Sequence, residues 1–167
     1  MLDINPVAWF SGISPEWAVF FLSMLPITEL RVSIPVGIEV FGLSPWMTWL
    51  IAVLGNMTPT VGILLLIPHV HAWLMRHHVL GPMIEHKMQR AAGLFSGKYT
   101  VYGALALVVF VGIPLPFTGA WTGAFLAFLF DIPFRKSFPL IALGLCLSAT
   151  IVTVVTVFAG AGLRWLM

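Results

Sequence analysis

The 167-residue sequence predicts an all-α integral membrane protein. It reads as an inverted repeat of a re-entrant helical hairpin followed by a transmembrane helix, with an amphipathic helix in the cytoplasmic interface between the halves. Three observations carry this prediction. Hydrophobic residues make up 60% of the chain and charged residues 8%, with a mean hydropathy of +1.04. Two long stretches contain no charge at all. Two further apolar regions are each broken near the middle by prolines and polar residues.

The composition excludes most other classes. A soluble domain carries about 25% charged residues, and eight basic plus six acidic side chains would leave a water-soluble globule coated with apolar patches far above what monomers tolerate. Disorder needs the opposite composition. Length implies a single membrane domain. The sequence pI near 9.0 would point to nucleic acid in a soluble chain, but the few basic residues here read as topology signals, and no nucleic-acid partner is expected. Cys146 stands alone, so no intramolecular disulfide is expected. The opening residues MLDINPVAWF lack a basic segment, and a cleaved signal peptide is not expected.

Residues 16–43 form the first hairpin. The apolar run from Trp17 to Ile27 meets Thr28, Glu29 and Arg31, then resumes from Val32 to Leu43 with Pro35, Gly37 and Glu39 in it. Each arm is shorter than the roughly 20 residues a spanning helix requires. Residues 45–67 are long and apolar enough to cross, with a kink expected around Asn56, Thr58, Pro59 and Thr60. The connector 68–98 carries Arg76, Lys87, Arg90 and Lys98 against Glu85, which places it in the cytoplasm. Within it, Ile84, Met88, Ala91 and Phe95 recur at helical spacing and define the amphipathic helix.

Residues 99–130 repeat the broken pattern. The run from Tyr102 to Ile113 meets Pro114, Pro116, Thr118 and Gly119 before Ala120–Phe130 continues. Irregular backbone at membrane depth is tolerated only inside protein or along a wet cavity, so both broken regions read as re-entrant. A re-entrant second hairpin also returns Arg135 and Lys136 to the cytoplasm. The second span is 137–163, with Thr150, Thr153 and Thr156 on one face. At an offset of 90 residues, Pro26 and Thr28 fall on Pro116 and Thr118, Leu50–Ala52 on Leu140–Ala142, and Thr60 on Thr150, which agrees with a repeat.

The candidate site follows from the cost of intramembrane charge, about 2.5 to 3.5 kcal/mol per residue on insertion scales. Glu29, Arg31 and Glu39 therefore face a partner or a cavity. An acid beside a cation in a half-dry pocket can take up and release a proton, and the cation can hold an anionic head group. The plainer alternative is a structural ion pair at the hairpin tip; for Glu39 it is solvation at the outer interface. On a regular helix, side chains two positions apart diverge, so Glu29 and Arg31 can meet only where the helix is interrupted. In the second hairpin, Thr118, Trp121 and Thr122 offer an opposing polar wall, or a plain turn with Trp121 packed in place. Pro26, Pro35, Gly37, Pro114, Pro116, Gly119 and Gly123 shape the hairpins.

Five histidines lie in the connector region without the spacing of paired ligands, so no metal and no cofactor are expected. The signatures of intramembrane hydrolases and phosphate-binding loops do not occur, so the chain does not read as an enzyme.

The segments Pro26–Pro35 (PITELRVSIP) and Ile113–Gly123 (IPLPFTGAWTG) resemble the paired motifs of the small multi-drug export family, a family regarded as related to the DedA (SNARE-associated, VTT-domain) superfamily. The resemblance covers about residues 15 to 163. It implies two re-entrant hairpins in inverted repeat and a transport role, with Glu29 and Arg31 in the acid and basic positions of the first hairpin. Where the DedA pattern carries arginines in the second hairpin, this sequence has Thr118, Gly119, Ala120 and Trp121. The expectation is thus a multi-pass inner-membrane transporter of small amphiphilic compounds or lipids, coupled to protons and working as a homo-oligomer. The alternatives are a flippase or scramblase for a phosphate-headed lipid carrier, and a non-transporting scaffold or membrane-remodelling protein acting through Met83–Phe95.

Overall fold

The computed structural model describes residues 12–74, 99–115, 118–130 and 132–166. Every described element is helical: α1 (Pro15–Met24), α2 (Glu29–Pro35), a π turn (Val36–Val40), α3 (Pro45–Leu74), α4 (Tyr99–Gly112), α5 (Ala120–Leu129) and α6 (Phe134–Leu166). The expected amphipathic helix at 83–95, most of the cytoplasmic connector, and Pro116 lie outside the described residues.

Two helices are long and apolar enough to cross a bilayer, over Pro45–Val70 and Phe134–Gly162. At 1.5 Å per residue, each exceeds the roughly 30 Å of hydrocarbon. Both run beyond the spans read from hydropathy. The helix α3 passes through Pro59 and Pro68 to Leu74, and α6 begins at Phe134, with Arg135 and Lys136 in its first turn. Hydropathy marks the stretch suited to hydrocarbon, whereas the hydrogen-bonded helix continues past it. The other helices are shorter as described: α1 and α5 have 10 residues each and α4 has 14.

The described chain divides into two compact units, one built from residues up to Asn56 and from Ala149 onward, the other from Met57–Ser148. In the first, Pro15 starts α1 at a position where its missing N–H costs nothing. Leu25, which precedes Pro26, takes the extended conformation (ψ 137°) that a following proline imposes, and this ends α1. The chain turns over Leu25–Thr28 and continues as α2, so α1 and α2 form a helical hairpin around Val19, Leu22, Leu30 and Ile34, all fully buried. Pro35 has no N–H to donate to Arg31. The backbone immediately widens into the π turn, where Phe41 N–H bonds the Val36 carbonyl five residues back at 3.0 Å. Close packing on α3 depends on two glycines. A Cβ on Gly55 would lie 2.5 Å from the Phe20 carbonyl oxygen, and one on Gly37 would lie 2.5 Å from Thr48 Cγ2.

In the second unit, α4 and α5 form another short hairpin. Its core holds Leu107, Val111, Ala120, Ala124, Ala127, Ile141 and Leu145. Gly123 and Gly144 bring α5 and α6 against Val111, where an added Cβ would come within 2.5 Å and 2.8 Å of its side chain.

Candidate functional site

The tip of the first hairpin concentrates the polar groups of its unit. Glu29 opens α2 with φ +45°, the left-handed region that costs a non-glycine residue about 1–3 kcal/mol. Its N–H bonds the Leu25 carbonyl at 3.0 Å, and Val32 N–H bonds that of Thr28 at 3.1 Å. Because Glu29 leaves the regular helical path, its carboxylate and the Arg31 guanidinium meet, with Oε2 to Nη1 at 3.7 Å. Glu29 is 4% exposed, and Arg31 is half-buried.

Three hydroxyls brace this tip. Thr28 Oγ1 donates to the Leu22 carbonyl at 2.5 Å and ties the turn to the end of α1. Ser23 Oγ donates to the Val19 carbonyl at 2.7 Å, and the Ser23 and Ser33 hydroxyls lie 2.7 Å apart. Since the Ser23 proton is already committed, Ser33 is the donor of that pair, giving a directed chain from Ser33 through Ser23 to Val19. Thr48 and Asn56 of α3 are also fully buried in this unit. Sequence reasoning did not single out Ser23 or Ser33. Their signal was a pair of serines flanking the polar break inside apolar arms.

The structure brings together Glu29 and Arg31 and sets Glu39 elsewhere. Glu39 is exposed in the π turn, and its carboxylate fills the space that a Cβ on Gly160 of α6 would need. Pro26 sits in the reversal. Pro35 and Gly37 lie within the continuous run of helix and π turn.

Thr118, Trp121 and Thr122 belong to the second unit. Thr118 organises the turn there: its hydroxyl lies 2.8 Å from both the Ile113 and Leu115 carbonyls and accepts from Leu115 N–H at 3.2 Å. Gly119 caps α5 with extended backbone, and Thr122 Oγ1 donates to its carbonyl at 3.4 Å. Trp121 Nε1 is buried without a hydrogen-bond partner among the described residues. Pro114 lies in the irregular segment between α4 and α5, and Gly123 supplies the close contact to Val111.

This geometry can be set beside known proteins. The model of the family described as "Putative small multi-drug export protein" matches residues 29–151, beginning on Glu29 within the first hairpin motif and taking in the second motif whole. The chain belongs to the small multi-drug export family. The description of this family, with two helices suited to crossing a bilayer, makes it a membrane protein of a putative export family. No curated protein and no solved structure matches the chain. Among the described residues, no cluster of histidine, cysteine or acidic side chains could hold a metal ion.

Proposed function

We propose that this small multi-drug export protein is a proton-coupled secondary transporter of small amphiphilic compounds or lipids, with the Glu29–Arg31 pair as its proton-handling site. The observation that carries the reading is a buried carboxylate held in a costly backbone conformation beside a single cation, at the tip of a hairpin whose arms are too short to span. Strain at a buried charge persists only when the surroundings enforce it, and such positions cluster at functional sites. Protonation of Glu29 would release Arg31, giving a two-state element that an ion gradient can bias.

In this reading both hairpins are re-entrant and related by inverted repeat, and kinship with the DedA superfamily follows from the same motifs. Glu29 is the proton site, Arg31 its partner and anion contact, and Thr118, Trp121 and Thr122 are the candidate substrate contacts of the second hairpin. The protein lies in the inner membrane as a homo-oligomer, with the 68–98 connector and the Arg135–Lys136 end of α6 in the cytoplasm. Its role is transport, with no catalytic step.

The test is reconstitution in liposomes with an imposed pH gradient and a panel of amphiphilic dyes and fluorescent lipids. Gradient-dependent movement that disappears in Glu29→Gln supports the reading. Undiminished movement by Glu29→Gln removes Glu29 as the proton site.

A further inference from the structure

Away from the hairpin tip, the first unit contains a recess. A groove of about 310 Å³, at the small end of the ligand-pocket range of roughly 300–1,000 Å³, is lined by Pro45, Trp46, Trp49, Thr150, Thr153 and Val154. Its aromatic wall is built rather than incidental. The Trp46 and Trp49 rings stack with centroids 5.3 Å apart and planes 6° from parallel. Trp49 Nε1–H donates to Thr150 Oγ1 at 3.2 Å, which fixes that ring across the groove. Trp46 is 69% exposed, so a broad indole surface stays open to a ligand.

No charged residue lines the groove, but one stands at its end. Thr153 and Gly160 are seven residues apart on α6, two turns on nearly the same face and about 10 Å along the axis. The Glu39 carboxylate lies against Gly160. Among the described side chains, no cation is paired with it. A flat apolar wall with an exposed carboxylate about 10 Å farther along the same helix face is complementary to a hydrophobic organic cation. Indole faces attract both apolar bodies and cations, whereas an anion would meet Glu39 and find no basic group in the groove lining.

We infer that the Trp46–Trp49 groove and Glu39 together form a binding site for amphipathic organic cations, the aromatic or alkyl body lying on the indoles and the ammonium against the Glu39 carboxylate. This inference does not depend on proton handling at Glu29, so either can fail without the other.

The probe is phenylhexyltrimethylammonium, paired with its neutral analogue in which carbon replaces the charged nitrogen. Both are titrated into the full-length protein in a maltoside detergent and in glycolipid nanodiscs that carry no ammonium headgroup, with calorimetry and tryptophan fluorescence as readouts. The expected result is saturable binding of the cation, weaker by about tenfold in Glu39→Gln and for the neutral analogue, as for loss of one charge-assisted contact. Weakening by several-fold is also expected in Trp46→Leu and Trp49→Leu. The ligand pair tests the charge without any mutation, so a variant that fails to fold does not decide the outcome. Equal binding of cation and neutral analogue, or unchanged affinity in Glu39→Gln, overturns the inference. So does binding in detergent that vanishes when nanodiscs contain phosphatidylethanolamine, because the site would then belong to a lipid amine.

Discussion

Glu29 and Arg31 pair across two positions because Glu29 stands at φ +45°, off the path on which side chains two residues apart point away from each other. Backbone strain and ion pairing are therefore one feature, and substitutions can separate them. Glu29→Gly removes the backbone penalty of about 1–3 kcal/mol but also removes the carboxylate that pairs with Arg31. If the pair is chiefly structural, loss of that carboxylate dominates and thermal unfolding in detergent shows a loss of about 3–5 kcal/mol. On the proton-site reading, the Arg31 side chain, 20% exposed, turns further toward water. Stability then falls by less than that, while gradient-driven transport is lost.

The serine chain predicts an asymmetry. Ser23→Ala leaves the buried Ser33 hydroxyl without its acceptor and should cost about 1–3 kcal/mol. The Ser23→Ala/Ser33→Ala double variant removes both polar groups and should recover most of that loss. Chemical denaturation of the four proteins in the cycle measures the coupling, and additive costs would contradict the bonded pair.

Glycines on α3 should respond in opposite directions. Gly55→Ala forces a Cβ to 2.5 Å from a backbone carbonyl that cannot move aside, whereas Gly62→Ala meets nothing within 4 Å. The first should destabilise by about 2 kcal/mol or more and loosen the first hairpin. The second should stabilise by up to about 1 kcal/mol through helix propensity. Melting temperatures of the two variants, run side by side, check the sign of each.

In the second unit, Gly123→Ala would place its Cβ 2.5 Å from Val111 Cγ2. Val111→Ala opens the needed space. The single Gly123→Ala variant should be destabilised by about 1–3 kcal/mol, and the double variant should be more stable than the sum of the two singles predicts.

Membrane orientation is open to a direct chemical test. With Cys146 replaced and a cysteine introduced at Lys136, an impermeant thiol reagent should label the protein only from the cytoplasmic side of oriented vesicles. Labelling only from the opposite face would mean that the second hairpin crosses completely, and the re-entrant arrangement would be abandoned.

The long helices were legible because hydropathy reads directly which segments suit hydrocarbon, and the broken arms because Pro26, Thr28, Glu29 and Pro114 interrupt that signal at short range. The paired Glu29 and Arg31 could be named, but the means of their pairing could not, since nothing in the sequence announces a left-handed glutamate. Pro35 and Gly37 read as residues that shape the hairpin, but the form of that shaping was not legible: the chain takes them into a helix that widens, because a missing N–H at Pro35 can be accommodated by a change of hydrogen-bond register. Thr118 holds its own turn through the Ile113 and Leu115 carbonyls, a role its place in the sequence does not announce. The Trp49–Thr150 bond joins positions 101 residues apart. Contacts at that separation leave no local trace, and Gly160 acquires meaning only once Glu39 is seen resting on it.

The π turn at Val36–Val40 lets the helix carry one residue more than α-helical winding would allow. It thereby sets where Glu39 stands against Gly160. Deleting one residue from this turn would restore ordinary winding and shorten the path from Pro35 to Phe41, with every charge in the chain conserved. Related chains that differ by one residue between Pro35 and Phe41 would thus set the same acid at a different position against its neighbour.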